Sequence, residues 1–204
     1  MKKIIESTLV LGCFISSCFA VENKLTLEQK AKTVNHQKLS TAVSTHNQSF
    51  LNKFINSANV NSHDTESNTL LHQAAKLGNE QTVSLLLNKK ANPNAANNKN
   101  KTPLHMAAKT GNSKIVAALI ASKAKVNAKT AKDKTALHYA AAKGSKDITA
   151  ILISQGADTT IFDKFARTPM HTAIENNHLE IIKLLDAYAQ ALAKNPTTTR
   201  SIDN

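Results

Sequence analysis

What this sequence lacks narrows its chemistry first. Cysteine occurs only at Cys13 and Cys18, inside the apolar start of the chain. If that start is removed, disulfides, thiol catalysis and Cys-based zinc sites leave with it. A cysteine-free body suits an oxidising compartment. Tryptophan is absent, and aromatic residues make up 4% of the chain. With five Gly and four Pro, collagen-like and Pro/Gly-rich linker classes are excluded. No apolar run beyond the first 20 residues is long enough to span a bilayer. Acids are scarce in the middle, where eleven lysines between Lys99 and Lys146 stand against Asp133 alone. Acid–base catalysis by convergent carboxylates has little to draw on there. No Gly-rich phosphate loop, G-x-S-x-G elbow or H-E-x-x-H helix occurs either.

What is present is about one domain with short extensions, at 204 residues and a formal charge of +12. Hydrophobic residues make up 41%, enough for a packed core and too many for a wholly disordered chain. Residues 1–20 read as a secretory leader of bacterial style. Lys2 and Lys3 form its basic start, Thr8 to Ile15 its apolar centre, and Cys18-Phe19-Ala20 a small-residue cut site before Val21. A second reading is open. Ile15-Ser16-Ser17-Cys18 resembles a lipobox, in which Cys18 becomes the lipidated first residue. Cleavage between Ala20 and Val21 would give a periplasmic or secreted protein and is the preferred reading. Lipidation at Cys18 would give a membrane-anchored one.

The rest of the chain repeats every 33 residues. Thr69, Thr102, Thr135 and Thr168 keep that step, as do His72, His105, His138 and His171. Ala74, Ala107, Ala140 and Ala173 follow it, and so do Gly78, Gly111 and Gly144 with Asn177 in the fourth slot. A fixed period of this length marks a stacked array. Within one copy, Thr102 is a good N-cap with Pro103 at the first helical position. Leu104, Ala107 and Ala108 then bury one helical face, and Gly111 ends the helix. A second helix is expected over roughly 113–122, with Val116, Leu119 and Ile120 inward.

The four copies read TLLHQAA, TPLHMAA, TALHYAA and TPMHTAI. Gly156-Ala157-Asp158 follows the second helix of the third copy. These segments resemble ankyrin repeats, whose pattern is T-P-L-H-x-A-A, a glycine, an L-L-L helix and G-A-D. Lys90 and Lys123 stand where that pattern has its later glycine, and Leu70 and Ala136 where it has proline. The resemblance implies an all-α solenoid of helix-turn-helix units with turn or β-hairpin tips. It places repeats at 66–98, 99–131 and 132–164, and a C-terminal one at 165–194. By the same step, 36–65 is a degenerate capping repeat, with Ala42 matching Ala75 and Phe50 and Phe54 matching Val83 and Leu87. Residues 21–35 are expected to be a helical extension, because Thr26-Leu27-Glu28-Gln29 resembles a capping box. A flexible tail is expected over 195–204.

Histidines at a regular step suggest a metal. Helices in a stack lie ~8–10 Å apart, too far for two ring nitrogens to share a zinc ion at ~2 Å. The resemblance instead gives them a structural role at the helix start. No cofactor, metal or catalytic residue is expected. Function then falls on the surface. The resemblance implies binding through turn tips and the exposed side of the first helix. Those positions are Lys99, Lys101, Lys109 and Thr110 in the second repeat, and Lys129, Lys132, Lys134 and Lys143 in the third. In the fourth they are Phe162, Lys164, Phe165, Arg167 and Glu175, and in the first His63, Asp64, Glu66, Asn68 and Lys76. Several of the lysines recur at equivalent positions and are expected to form a basic stripe. The two phenylalanines are candidate anchors beside it. The expected partner is an acidic protein. An anionic non-protein ligand, such as lipid head groups or surface polysaccharide, is the alternative, as is a host-directed secreted role. Nucleic acid is not expected, since no nucleic-acid motif accompanies the charge.

Overall fold

A computed structural model describes residues 36–194. The candidate leader, the 21–35 extension and the 195–204 tail lie outside the described residues. Ten helices follow in order: α1 over 36–44, α2 Gln48–Phe54, α3 Leu70–Leu77, α4 Glu80–Asn88, α5 Pro103–Thr110, α6 Ser113–Ala121, α7 Ala136–Lys143, α8 Lys146–Ser154, α9 Pro169–Glu175 and α10 Leu179–Lys194. Among the described residues there is no strand, only an isolated antiparallel bridge between His63 and Thr69. No described helix is long and apolar enough to cross a membrane.

Local chemistry sets the helix limits. Thr69, Thr102, Thr135 and Thr168 each cap α3, α5, α7 and α9 in a reciprocal box with the histidine three residues on. The threonine backbone N–H donates to histidine Nδ1 at 3.1, 3.0, 3.2 and 3.3 Å in turn. Gly78, Gly111 and Gly144 end three of these helices with φ of 72°, 85° and 73°. Gly144 is constrained twice, because a Cβ there would lie 2.7 Å from the His178 ring. Asn177, in the fourth slot, also holds a positive φ of 57°. Each outer helix then starts on a polar residue: the Asn79 and Asn112 side chains accept from the backbone N–H of Thr82 and Ile115, both at 3.0 Å.

The helices form two layers. The inner helices α3, α5, α7 and α9 pack side by side, with α4, α6, α8 and α10 behind them. Between inner helices, Ala74, Ala75, Ala107, Ala108, Ala140 and Ala141 have no exposed surface. Their small side chains bring neighbouring backbones close without rotamer cost. Leu86, Leu119, Leu152 and Leu185 fill the same position in each outer helix. Thr149 replaces an aliphatic residue in that layer and satisfies its hydroxyl by donating to the Ser145 carbonyl at 2.9 Å. Ile115 is buried beside Val116 and Leu119, so the inward face of α6 is wider than its sequence pattern indicates.

Helices α1 and α2 occupy the inner and outer places at the N-terminal side. Gln73 Nε2 of α3 donates to the Ser40 carbonyl at 3.0 Å and to Ser44 Oγ at 2.8 Å. Ala42 is buried as Ala75 is. Phe50 packs against the core, whereas Phe54 is half-exposed with its ring centre 4.4 Å from that of Phe50.

Candidate functional site

Between each outer helix and the next inner helix the chain makes a finger. The four fingers are Asp64–Asn68, Asn97–Lys101, Thr130–Lys134 and Asp163–Arg167. In each, the backbone N–H of the first residue donates to the carbonyl of the fifth at 2.9–3.0 Å. The fourth residue takes a positive φ: 61° at Ser67, 51° at Asn100, 56° at Asp133 and 56° at Ala166. The side chain of the first residue accepts from the backbone N–H groups of the third and fifth. Asp64 does so at 2.9 and 2.8 Å, Asn97 at 2.9 and 3.0 Å, Thr130 at 3.4 and 3.2 Å, and Asp163 at 2.8 and 3.1 Å. Adjacent fingers are tied by Asn98 N–H to Glu66 O at 3.0 Å, Ala131 to Lys99 at 2.9 Å and Lys164 to Lys132 at 3.1 Å. The surface is therefore held by backbone bonds before any partner arrives.

The repeat histidines lock the fingers from below. Because the threonine N–H donates to Nδ1, the ring proton sits on Nε2. His72 Nε2 donates to the Lys101 carbonyl at 2.8 Å, and His138 Nε2 to that of Arg167 at 3.0 Å. His105 Nε2 lies 3.0 Å from the Ala128 carbonyl and 3.2 Å from that of Lys134. Burial lowers the pKa of all three, and the carbonyl bonds raise it only in part. For His105 the result is about 4. These rings are neutral structural donors near pH 7. Among the described residues, no three His, Cys, Asp or Glu side chains converge as metal ligands would.

The candidate binding residues fall on this face in ordered rows. Lys99, Lys132 and Phe165 hold the third position of their fingers and are exposed. Lys101, Lys134 and Arg167 hold the fifth, at the half-buried root. Lys129 and Phe162 directly precede the third and fourth fingers, and Lys164 is the second residue of the fourth. Lys109 and Lys143 are exposed in the last turns of α5 and α7. Phe162 and Phe165 are 58% and 61% exposed, so neither tucks into the stack.

The basic row is not uniform. Asp163 has a side chain with 0% exposure, and its Oδ2 takes Arg167 Nη2 at 2.9 Å and Lys134 Nζ at 3.6 Å. Burial alone would raise that carboxyl. The Arg167 side-chain bond, the Phe165 and Arg167 N–H groups and the Arg167 charge outweigh it and bring it down to about 2. Arg167 also meets Glu175 at 2.9 Å, and its guanidinium lies 4.9 Å from the Phe165 ring centre. Lys134 and Arg167 are thus internally paired. Lys114 and Lys146, on the outer layer, bridge to Glu80 and Glu180 of adjacent repeats at 3.3 and 3.2 Å. Such exposed pairs add little stability.

Sequence reasoning named the fingertips, counted Asp64 among them as a binding position rather than an anchor, and passed over Asn97, Thr130 and Asp163. Asp64, Asn97, Thr130 and Asp163 share the 33-residue step, and each carries a short side-chain oxygen. That shared acceptor was the available signal, hidden by three different residue names.

The family model described as ankyrin repeats (3 copies) matches residues 39–130 and 125–195. The chain belongs to the ankyrin-repeat family. Its fold is the all-α solenoid of that family, whose repeats are generally protein-interaction modules and typically without catalytic activity. No curated protein gives a match to the chain.

Proposed function

We propose that this chain is an exported, non-enzymatic scaffold that binds an acidic protein partner through its fingers and inner helices. The observation that carries the reading is the pairing of a rigid basic face with two exposed phenylalanines, one just before the fourth finger and one within it. Lys99, Lys129, Lys132, Lys143 and Lys164 are exposed and have no ion-pair partner among the described residues. Phe162 and Phe165 supply apolar anchors that a purely solubilising surface would not carry. Binding here is shape and charge complementarity, with steering by the lysines. The leader-like pattern at 1–20 supports export, with cleavage before Val21 as the leading route and lipidation at Cys18 as the other.

A photo-crosslinking amino acid at position 162 tests the reading in the cells that make the protein. Discrete adducts are expected from position 162 and not from Ala117, which is exposed on the outer face of α6. Combined replacement Phe162→Ala and Phe165→Ala should remove the partner's affinity and leave thermal unfolding unchanged. Equal adducts from both positions would overturn the proposal. Binding that instead collapses as salt rises, and is reproduced by a heparin oligosaccharide or anionic vesicles, would favour a polyanion ligand.

A further inference from the structure

The first two fingers line a groove of about 360 Å³ that carries charges of both signs. Its size is at the low end of ligand sites, which span about 300–1,000 Å³. Its basic lining is Lys99 and Lys101 of the second finger, with Lys76 and Lys109 in the last turns of α3 and α5. Its acidic lining is Asp64 and Glu66 of the first finger. Met106 gives the lining an apolar element.

We propose that this groove binds an extended peptide segment of mixed charge, seating an acidic side chain at Lys101 and a basic group at Glu66. The inference rests on the protein-partner reading and names the segment such a partner must present.

Lys101 is the focus of the basic lining. It is half-buried, and its Nζ lies 5.6 Å from the centre of the Tyr139 ring. Among the described residues, no carboxylate pairs with Lys76, Lys99, Lys101 or Lys109. Burial lowers the Lys101 pKa first, and the charges of Lys109, Lys99, Lys132 and Lys134 lower it further. Four ammonium groups therefore press on that of Lys101, and an incoming carboxylate relieves the repulsion.

The acidic lining decides which anion fits. Asp64 is already occupied, accepting from Glu66 N–H at 2.9 Å, Asn68 N–H at 2.8 Å and Asn68 Nδ2 at 3.0 Å. Glu66 is exposed, and its nearest donor, Asn68 Nδ2, stands at 3.5 Å. A ligand of one sign, such as a sulfated sugar or a lipid surface, places negative charge against Glu66. A peptide carries both signs within a few residues and satisfies both linings.

Fluorescence anisotropy on the full chain at about 0.15 M salt tests this. Two labelled peptides of equal length serve as probes, one a Glu run followed by a Lys run, the other all Glu. A heparin oligosaccharide is the competitor. The mixed peptide should bind more tightly than the all-Glu peptide, and heparin should compete poorly. Lys101→Met should weaken the mixed peptide about tenfold, the size of one lost charge-assisted bond. Glu66→Lys, on an exposed side chain, should reverse the preference between the peptides. Circular dichroism confirms that both variants are folded. Tighter binding of the all-Glu peptide or heparin, or no effect of Lys101→Met, would overturn the proposal. Partner capture at position 162 alongside any of those results would leave the scaffold reading standing and remove only this groove.

Discussion

At the scale of single residues, the histidines couple stability to pH. His105 has a folded pKa of about 4 against an ordinary value of 6.5, with burial as the main cause. Between those values the unfolded chain binds a proton that the folded chain refuses, so folding is favoured as pH rises. The contribution is complete above about pH 6.5 and disappears as pH falls through that value to about 4, where its loss amounts to roughly 3 kcal/mol. His72 and His138 shift in the same direction and add to the trend. Urea midpoints at pH 7.5 and 4.5 should therefore differ markedly. His105→Gln keeps a side chain able to complete the capping box but cannot titrate. Its midpoint should be lower at pH 7.5 and should change less on acidification. The sequence already indicated a structural role for these residues through their family resemblance. What it could not give was the second bond, from Nε2 to a carbonyl 29 residues away at Lys101 or Arg167. That bond depends on two repeats stacking in register.

At the scale of elements, the finger is a unit built around one acceptor, and the fourth shows what it controls. Asp163 receives two backbone N–H groups and also holds Arg167 and Lys134. Asp163→Asn keeps an acceptor for the backbone, as Asn97 does in the second finger, and releases the two cations. Asp163→Ala removes the acceptor altogether and should cost about 1–3 kcal/mol for the stranded N–H groups. Chemical denaturation should therefore rank Asn above Ala. If the acidic-partner reading holds, Asp163→Asn should also tighten binding to an all-Glu peptide, because Lys134 and Arg167 are freed. Helices were the most legible elements. Threonine caps, glycine stops and the alanine pair mark α3, α5 and α7 within a residue or two of their ends. Fingers were less so. Their tips are polar and change identity from copy to copy, as Glu66, Lys99, Lys132 and Phe165 show. Nothing local in the sequence reveals that the charge on Arg167 is returned to Asp163 and Glu175, while Lys101 has no such partner among the described residues.

At the scale of the whole molecule, each repeat packs on its immediate neighbours, so stability is spread along the stack. Deleting residues 99–131 joins Asn98 to Lys132 in register and gives His72 the Lys134 carbonyl in place of that of Lys101. The shortened chain should remain helical and unfold cooperatively. Its urea m-value should drop by about one fifth, in proportion to the surface lost. A shortened chain that fails to fold would show that the repeats are not interchangeable. The histidine locks have one further consequence, which concerns descent. Each lock spans a junction, with its ring in one repeat and its carbonyl in the next. A length change of one whole 33-residue step therefore leaves each remaining ring facing the carbonyl at the equivalent position. A change of another length between a ring and its carbonyl keeps the lock only where the intervening turn takes up the difference. A duplicated copy carries the ring that its successor needs, so lineages of this protein can lengthen or shorten their stacks while the chemistry of each finger diverges on its own.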